Sequence, residues 1–464
     1  MDRWLAAALD YVPKWVEHQM RLTGQPGCVI SIAQNGKVLL ERAYGFADQV
    51  RGIPLTPRHR FRVASHSKSF TAAGIMKLRE RGKLRLDDPV GRHVDGLHPE
   101  IAKATLTQLL SHTAGVTRDG PDAGQFTDRR PYLNEKELRA DLAQEPIIER
   151  NTRYKYSNHA FGLIGLAIES VTGERYTTWI KREIIDAAGL EETQPDVPIR
   201  RGVPFARGHS ARLPAGERLV IPGENPTHAM APAAGFICTA ADLALYFNQL
   251  APRARNSVLS AASRREMVRK QWRIPHIASK RYYGLGIRSG FTGDWEWFGH
   301  SGGFQGYTTH TATYAPHDIT VSALTNAADG TAVGLVEGTT HILRHFAKHG
   351  APSRRVANWT GRWWSLWGAI DLVPVGDRVI VVNPGYPDGF PDAFKDASEI
   401  EVAGRDRGAI VLASGAGSHG EAVRRVRNAG GRVTEFWLAG NRHLTEAKVA
   451  AEMKARYGSK KKKR

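Results

Sequence analysis

The segment Phe61-Arg62-Val63-Ala64-Ser65-His66-Ser67-Lys68, continued by Ser69-Phe70-Thr71-Ala72-Ala73-Gly74-Ile75-Met76-Lys77-Leu78, decides how this chain is read. Its first three residues have the composition of a strand end, and from Ser67 onward apolar residues recur at helical period. Ser65 and Lys68 stand three apart at that junction. On a helix such positions share one face, with β-carbons about 5–6 Å apart, so a hydroxyl and an amine can meet. A serine hydroxyl is a poor nucleophile until a base lies beside it. The first turn of a helix also points unpaired N–H groups at whatever carbonyl the serine attacks. Taken alone, the pair is explained as well by a helix cap with a surface lysine. The same spacing recurs at Ser459 and Lys462, inside a terminal lysine run.

Composition narrows the classes. A chain of 464 residues exceeds the ~150-residue prior for one domain about threefold, so more than one domain is expected. With 41% hydrophobic residues it can bury a large core. Two cysteines, Cys28 and Cys238, are too few for a disulfide framework. The first ten residues hold no apolar core of signal-peptide length, and no stretch approaches the ~18 apolar residues of a membrane span. The expectation is a cytoplasmic protein with reduced thiols and no membrane partner. The formal net charge of +19 raises nucleic acid as a partner, but five of those charges, Lys460 to Arg464, form the extreme C-terminus. The rest are scattered, with no zinc-finger spacing and no basic–aromatic stripe, so nucleic acid is disfavoured.

Residues 1–20 carry Trp4, Leu5, Ala8, Val12, Trp15 and Val16 at helical spacing. Gly27 to Ala33 and Val38 to Arg42 flank Asn35-Gly36, a strong hairpin signal. Helical patterns follow, including Ala160 to Val171 and Ala240 to Leu250, before strands return from Tyr282 through Thr325 and Val333 to Phe346 closes as a helix. An early hairpin joined by late strands, with helices between, predicts an α/β (α+β) fold with a central antiparallel sheet over residues 1–350. Residues 351–358 read as a linker. Short strands with Gly-rich turns then predict a small, lipocalin-like antiparallel β-barrel over 359–455, ahead of a basic disordered tail at 456–464.

Two clusters can complete a site at Ser65. Tyr156-Ser157-Asn158 offers a phenol and an amide just before a helical run, and an ammonium beside a phenol favours its anion. The same Tyr-x-Asn string at Tyr246 lies inside a helix, and at Tyr132 in what reads as a surface loop. His300-Ser301-Gly302-Gly303 precedes a β-rich run, and its glycines permit a ligand to approach the backbone, with the Gly303 N–H as an oxyanion donor. That segment also satisfies the G-x-S-x-G nucleophile elbow, with Asp318 or Asp329 and His341 as partners. The elbow requires a helix after the serine, and Tyr307 to Tyr314 is β-rich. Gly415-Ala416-Gly417-Ser418-His419-Gly420 matches a dinucleotide fingerprint, but nine residues to Gly430 are too few for its crossover, and no cofactor is expected. His341 and His345 lack the glutamate of a zinc-protease motif, and no metal is expected.

The ordered clusters Ser65-x-x-Lys68, Tyr156-Ser157-Asn158 and His300-Ser301-Gly302, with Leu84 to Val90 and Thr105 to Gly115, resemble the serine β-lactamase and penicillin-binding-protein superfamily. The likeness is strongest to its class C β-lactamase, esterase and D-aminopeptidase branch, peptidase family S12 among them. The resemblance implies the β-lactamase-like transpeptidase fold, with helices flanking the sheet and an all-helical region. It implies an acyl-enzyme on Ser65, with proton transfer by Lys68 and Tyr156. Asn158 positions Lys68 and the substrate, His300 and Gly302 line the acyl-binding edge, and the N–H groups of Ser65 and Gly303 form the oxyanion hole. β-Lactam-binding relatives begin the third cluster with lysine, whereas a histidine of ordinary pKa ~6.5 is mostly neutral. The favoured activity is therefore hydrolysis of small esters, amides or D-amino-acid-containing peptides. A β-lactamase or D-Ala-D-Ala carboxypeptidase and a non-catalytic scaffold remain as alternatives, and a homo-oligomer is open.

Overall fold

The computed structural model describes the chain except residues 214, 215, 276, 278, 386–391, 396, 414–416 and 459–464. The glycine-rich string at 415–420 lies partly outside the described residues, and the lysine tail from 459 wholly so. The chain forms two compact units, Gly24–Val336 and a second made of Met1–Thr23 with Glu337–Arg464.

The first unit is built on a nine-stranded antiparallel sheet. Its strands in chain order are β1 (Gly27–Gln34), β2 (Lys37–Asp48), β3 (Ile53–Pro54), β4 (Trp272–Arg273), β5 (Tyr282–Tyr283), β6 (Arg288–Thr292), β7 (Trp295–Phe304), β8 (Tyr307–Tyr314) and β9 (Ile319–Thr325). Their spatial order is β3-β2-β1-β9-β8-β7-β6-β5-β4, so the early hairpin joins the late strands as the sequence predicts. Asn35 and Gly36, at φ 52° and 71°, make the tight turn between β1 and β2. The helix Ala240–Gln249 lies against β1 and β9, and most of residues 64–190 is helical.

Register matters most at β7. Strand β6 pairs with β7 only from Thr292 opposite Trp295 to Arg288 opposite Gly299. Beyond that point His300 to Phe304 pair with β8 alone, leaving one edge open. The cluster His300-Ser301-Gly302-Gly303 thus lies within a strand, where the sequence predicts it before one; two glycines mask the β character of the segment.

The second unit contains a closed barrel of eight strands in sequential order: Gly361–Ser365, Gly368–Val375, Arg378–Val382, Ser398–Val402, Arg407–Leu412, Ala422–Arg427, Val433–Leu438 and Asn441–Leu444. Inward residues alternate, as at Val379 and Val381 or Ile400 and Val402, and meet in a core with Trp363 and Phe436. Val356 and Trp359, in the stretch without helix or strand before the barrel, are fully buried in the same core. The N-terminal helix Arg3–Thr23 belongs to this unit. Tyr11 donates to Asp371 at 2.8 Å, and Arg21 donates to Glu446 at 3.1 Å. The final helix, Glu446–Tyr457, built from good helix formers, runs two residues into the stretch expected as tail. Among the described residues no helix is long and apolar enough to cross a membrane.

Candidate active site

The junction at Ser65 is held from three sides. Phe61–Arg62 pairs with Ile237–Cys238 in a short ladder. The Arg62 guanidinium, fully buried, pairs with Asp196 at 2.9 Å and donates to the carbonyls of Gly223 and Gly235. Ala64 then takes φ +47°, a left-handed conformation that costs an alanine roughly 1 kcal/mol and turns the chain sharply. Residues 64–66 make one 3-10 turn that leads into the helix Ser67–Glu80. Ser67 and Ser69 are fully buried and donate to the carbonyls of Ala64 and His66. Of the three serines, Ser65 alone is partly exposed.

Ser65 Oγ lies 3.2 Å from Lys68 Nζ and 2.8 Å from the Tyr156 hydroxyl. Lys68 Nζ also donates to Asn158 Oδ1 at 2.7 Å and to the Ala233 carbonyl at 2.8 Å. Asn158 is oriented in turn, because its Nδ2 donates to Asp119 Oδ1 at 2.6 Å. Burial pushes the pKa of Lys68 down, against the opposing pull of Tyr156 and Asp119. The consequence is directional. A neutral amine has two N–H donors and one lone pair. Asn158 Oδ1 and the Ala233 carbonyl can only accept, so they take both donors. In that neutral form the lone pair would face Ser65 Oγ, 3.2 Å away, the direction a base would need.

Tyr156 and Asn158 reach this point because Ser157 caps the helix Asn158–Thr172, its hydroxyl accepting the Ala160 N–H at 2.9 Å. Gly302 brings β7 to the same place. A β-carbon there would sit 2.2 Å from the Val63 carbonyl oxygen, so only glycine allows this approach. At Gly303 a β-carbon would meet nothing within 4 Å, which leaves the strand open beside Ser65.

His300 is 1% exposed, with its Nε2 2.9 Å from the Tyr283 hydroxyl. Burial and then the Arg288 charge push its pKa well below the ordinary imidazole value. Ser301 is in mid-strand with its hydroxyl 2.8 Å from His310 Nδ1, so the strand-turn-helix of a nucleophile elbow is absent there. Tyr132, expected in a surface loop, is 2% exposed: its ring stacks on Phe304 and its hydroxyl donates to Gln305. Tyr246 is buried in its helix as expected.

Residues 12–343 match the family model described as Beta-lactamase. The chain belongs to the β-lactamase family. Curated relatives agree over a shorter stretch: Protein flp of Staphylococcus aureus (strain N315) is 32% identical over 173 residues, 36% of this chain and 34% of that protein. The chain thus aligns with about a third of the length of that relative. Among solved structures, the octameric penicillin-binding protein homologue from Pyrococcus abyssi superposes with a TM-score of 0.65 at 22% identity, covering 94% of this chain and 99% of that one. The D-amino acid amidase from Ochrobactrum anthropi SV3 gives 0.63 at 21% identity, covering 73% and 98%. At these identities the likeness is one of fold.

Within this β-lactamase-family frame, several site residues lie outside every motif. Asp119 and the Ala233 carbonyl orient Asn158 and Lys68 from distant points in the chain, with no spacing to connect them. Arg288 begins β6 beside the open edge of β7. It is partly exposed, forms no ion pair among the described residues, and has a buried Nε without a hydrogen-bond partner.

Proposed function

We propose that this chain is a serine hydrolase that cleaves small esters, amides or D-amino-acid-containing peptides through an acyl-enzyme on Ser65. The observation that carries this reading is the convergence of Lys68 Nζ, at 3.2 Å, and the Tyr156 hydroxyl, at 2.8 Å, on Ser65 Oγ. Two Lys68 N–H groups are taken by obligate acceptors, and burial favours the neutral amine. Ser65 Oγ attacks the substrate carbonyl and its proton passes to Lys68. The oxyanion meets the N–H groups of Ser65 and Gly303, and Tyr156, 2.8 Å from Ser65 Oγ, gives its proton to the leaving group and takes the Lys68 proton in return. Water, deprotonated by the same pair, releases the acyl group. A substrate lies along the open edge of β7, where backbone contacts orient it. Asn158 and Asp119 hold the geometry, and His300 supports β7 through Tyr283. This complete network supports catalysis over a scaffold role.

Labelling with a fluorophosphonate probe and peptide mass mapping tests the assignment. The label is expected on Ser65; a label on Ser301 in an active preparation, or full activity in Ser65→Ala, would overturn it.

A second reading is cleavage of substrates that end in a carboxylate, as a β-lactamase or D-Ala-D-Ala carboxypeptidase. Neutral His300 weighs against it, but Arg288, with no ion pair among the described residues, supplies a cation at the end of the same edge. Nitrocefin turnover, lost in Arg288→Met while an uncharged ester is still cleaved, would favour this reading.

A further inference from the structure

His112 sits on the turn after the short helix Leu106–Leu110, and acyl transfer assigns it no part. It is 1% exposed and holds φ +61°, a left-handed conformation uncommon outside glycine, in which asparagine, aspartate and histidine are the enriched residues. Its carbonyl accepts the Lys155 N–H at 2.7 Å, and its Nδ1 accepts the Ser157 N–H at 3.2 Å. One residue therefore holds the backbone on both sides of Tyr156. The imidazole also lies against the phenol ring, with centroids 4.2 Å apart.

A ring nitrogen that accepts from an amide carries no proton, so the hydrogen of the neutral ring is on Nε2. That Nε2 is buried without a hydrogen-bond partner among the described residues. An unpaired buried N–H is unfavourable, and a phenylalanine would fill the space without it. Packing alone does not explain a histidine here, whereas an acceptor for the Ser157 N–H does. Burial, with the Arg288 charge, keeps the ring in this neutral form.

We propose that His112 is the positioning residue of Tyr156, acting through its Nδ1 acceptor to hold the phenol at hydrogen-bonding distance from Ser65. The proposal rests on the proton-transfer role of Tyr156 given above. A change that frees the Ser157 N–H lets the loop move and carries the hydroxyl with it.

The test is a double-mutant cycle on hydrolysis of p-nitrophenyl acetate, with folding followed by circular dichroism. His112→Phe is expected to lower kcat about 10²-fold while KM changes less than about threefold, the signature of a misplaced catalytic group. His112→Asn keeps an acceptor near the Nδ1 position and tolerates the left-handed backbone, so its kcat should stay within about fivefold of the parent. In a Tyr156→Phe background, His112→Phe should cost less than about twofold more. Full additivity in the double variant, or an asparagine variant as slow as the phenylalanine one, would overturn the proposal. Should His112→Phe fail to fold, His112→Asn decides: a loss beyond fivefold overturns it and a smaller one supports it. Wild-type kcat in Tyr156→Phe would instead remove the underlying role of Tyr156, and the proposal with it.

Discussion

Replacing Gly302 by alanine is the sharpest probe of how β7 meets the Ser65 turn. The added β-carbon would lie 2.2 Å from the Val63 carbonyl oxygen and 2.4 Å from Thr309 Oγ1. Ordinary carbon contacts begin near ~3.5 Å, so the two segments must separate by about 1 Å. The Val63 carbonyl cannot retreat by itself, because it accepts from the His66 N–H at 3.1 Å and from His66 Nδ1 at 3.0 Å. Any retreat drags the 3-10 turn that carries Ser65, and would spoil the oxyanion hole proposed for the Ser65 and Gly303 N–H groups. A displacement of this size predicts a fall in kcat of about 10²-fold. Overpacking adds a stability loss of about 1–3 kcal/mol. Gly303→Ala is the control, since no atom lies within 4 Å of its β-carbon, and its stability should stay within about 0.5 kcal/mol. Ester hydrolysis and scanning calorimetry on the two variants read both effects. Gly302→Ala with kcat within about threefold of the parent would refute the geometry, as would equal destabilisation by Gly303→Ala.

Lys68→Ala should lower kcat by about 10²–10⁴-fold, with an unchanged circular dichroism spectrum and slowed fluorophosphonate labelling at Ser65. Asp119→Ala leaves the Asn158 amide free to turn, and kcat should fall tenfold or more, on the order of one buried hydrogen bond; unchanged kcat would remove Asp119 from the network. His66 gives a pH prediction. Burial pushes its pKa down to about 4. Between about pH 6.5 and 4 the unfolded chain binds a proton that the folded chain does not, so stability is full above that window and falls through it as the solution is acidified. The shift corresponds to about 3 kcal/mol, and His66→Phe should flatten the pH dependence of urea unfolding by that amount; an unaltered slope would refute it.

The parts of the fold legible in the sequence were those with a local cause. Asn35-Gly36 demands a tight turn wherever it occurs, and the Ser65–Lys68 spacing needs only one helix to bring its two groups together. The strand character of residues 300–304 was hidden, because Gly302 and Gly303 serve a close approach that only the folded neighbour explains. Tyr132 read as surface because its neighbours Arg129, Arg130 and Pro131 are loop-formers, while its burial comes from Phe304 far along the chain. Asp119, Ala233 and Arg288 act through groups found on almost any surface or backbone. What singles them out is their position beside Asn158, Lys68 and the β7 edge, and position of that kind has no sequence period.

The N-terminal helix has a consequence for how this protein is made. Tyr11 waits for Asp371, 360 residues later, before its hydroxyl has its partner. At ~5–20 residues per second, the helix leaves the ribosome roughly 20–70 seconds before the barrel strand that receives it. Through that interval Tyr11 lacks its acceptor, on a helix whose Leu5, Val12 and Val16 are fully buried only in the folded chain. The barrel, cut out at residue 350 and expressed alone, would lack a segment that its own compact unit includes. A fragment meant to fold should bring the first 23 residues with it, joined by a linker or supplied in trans.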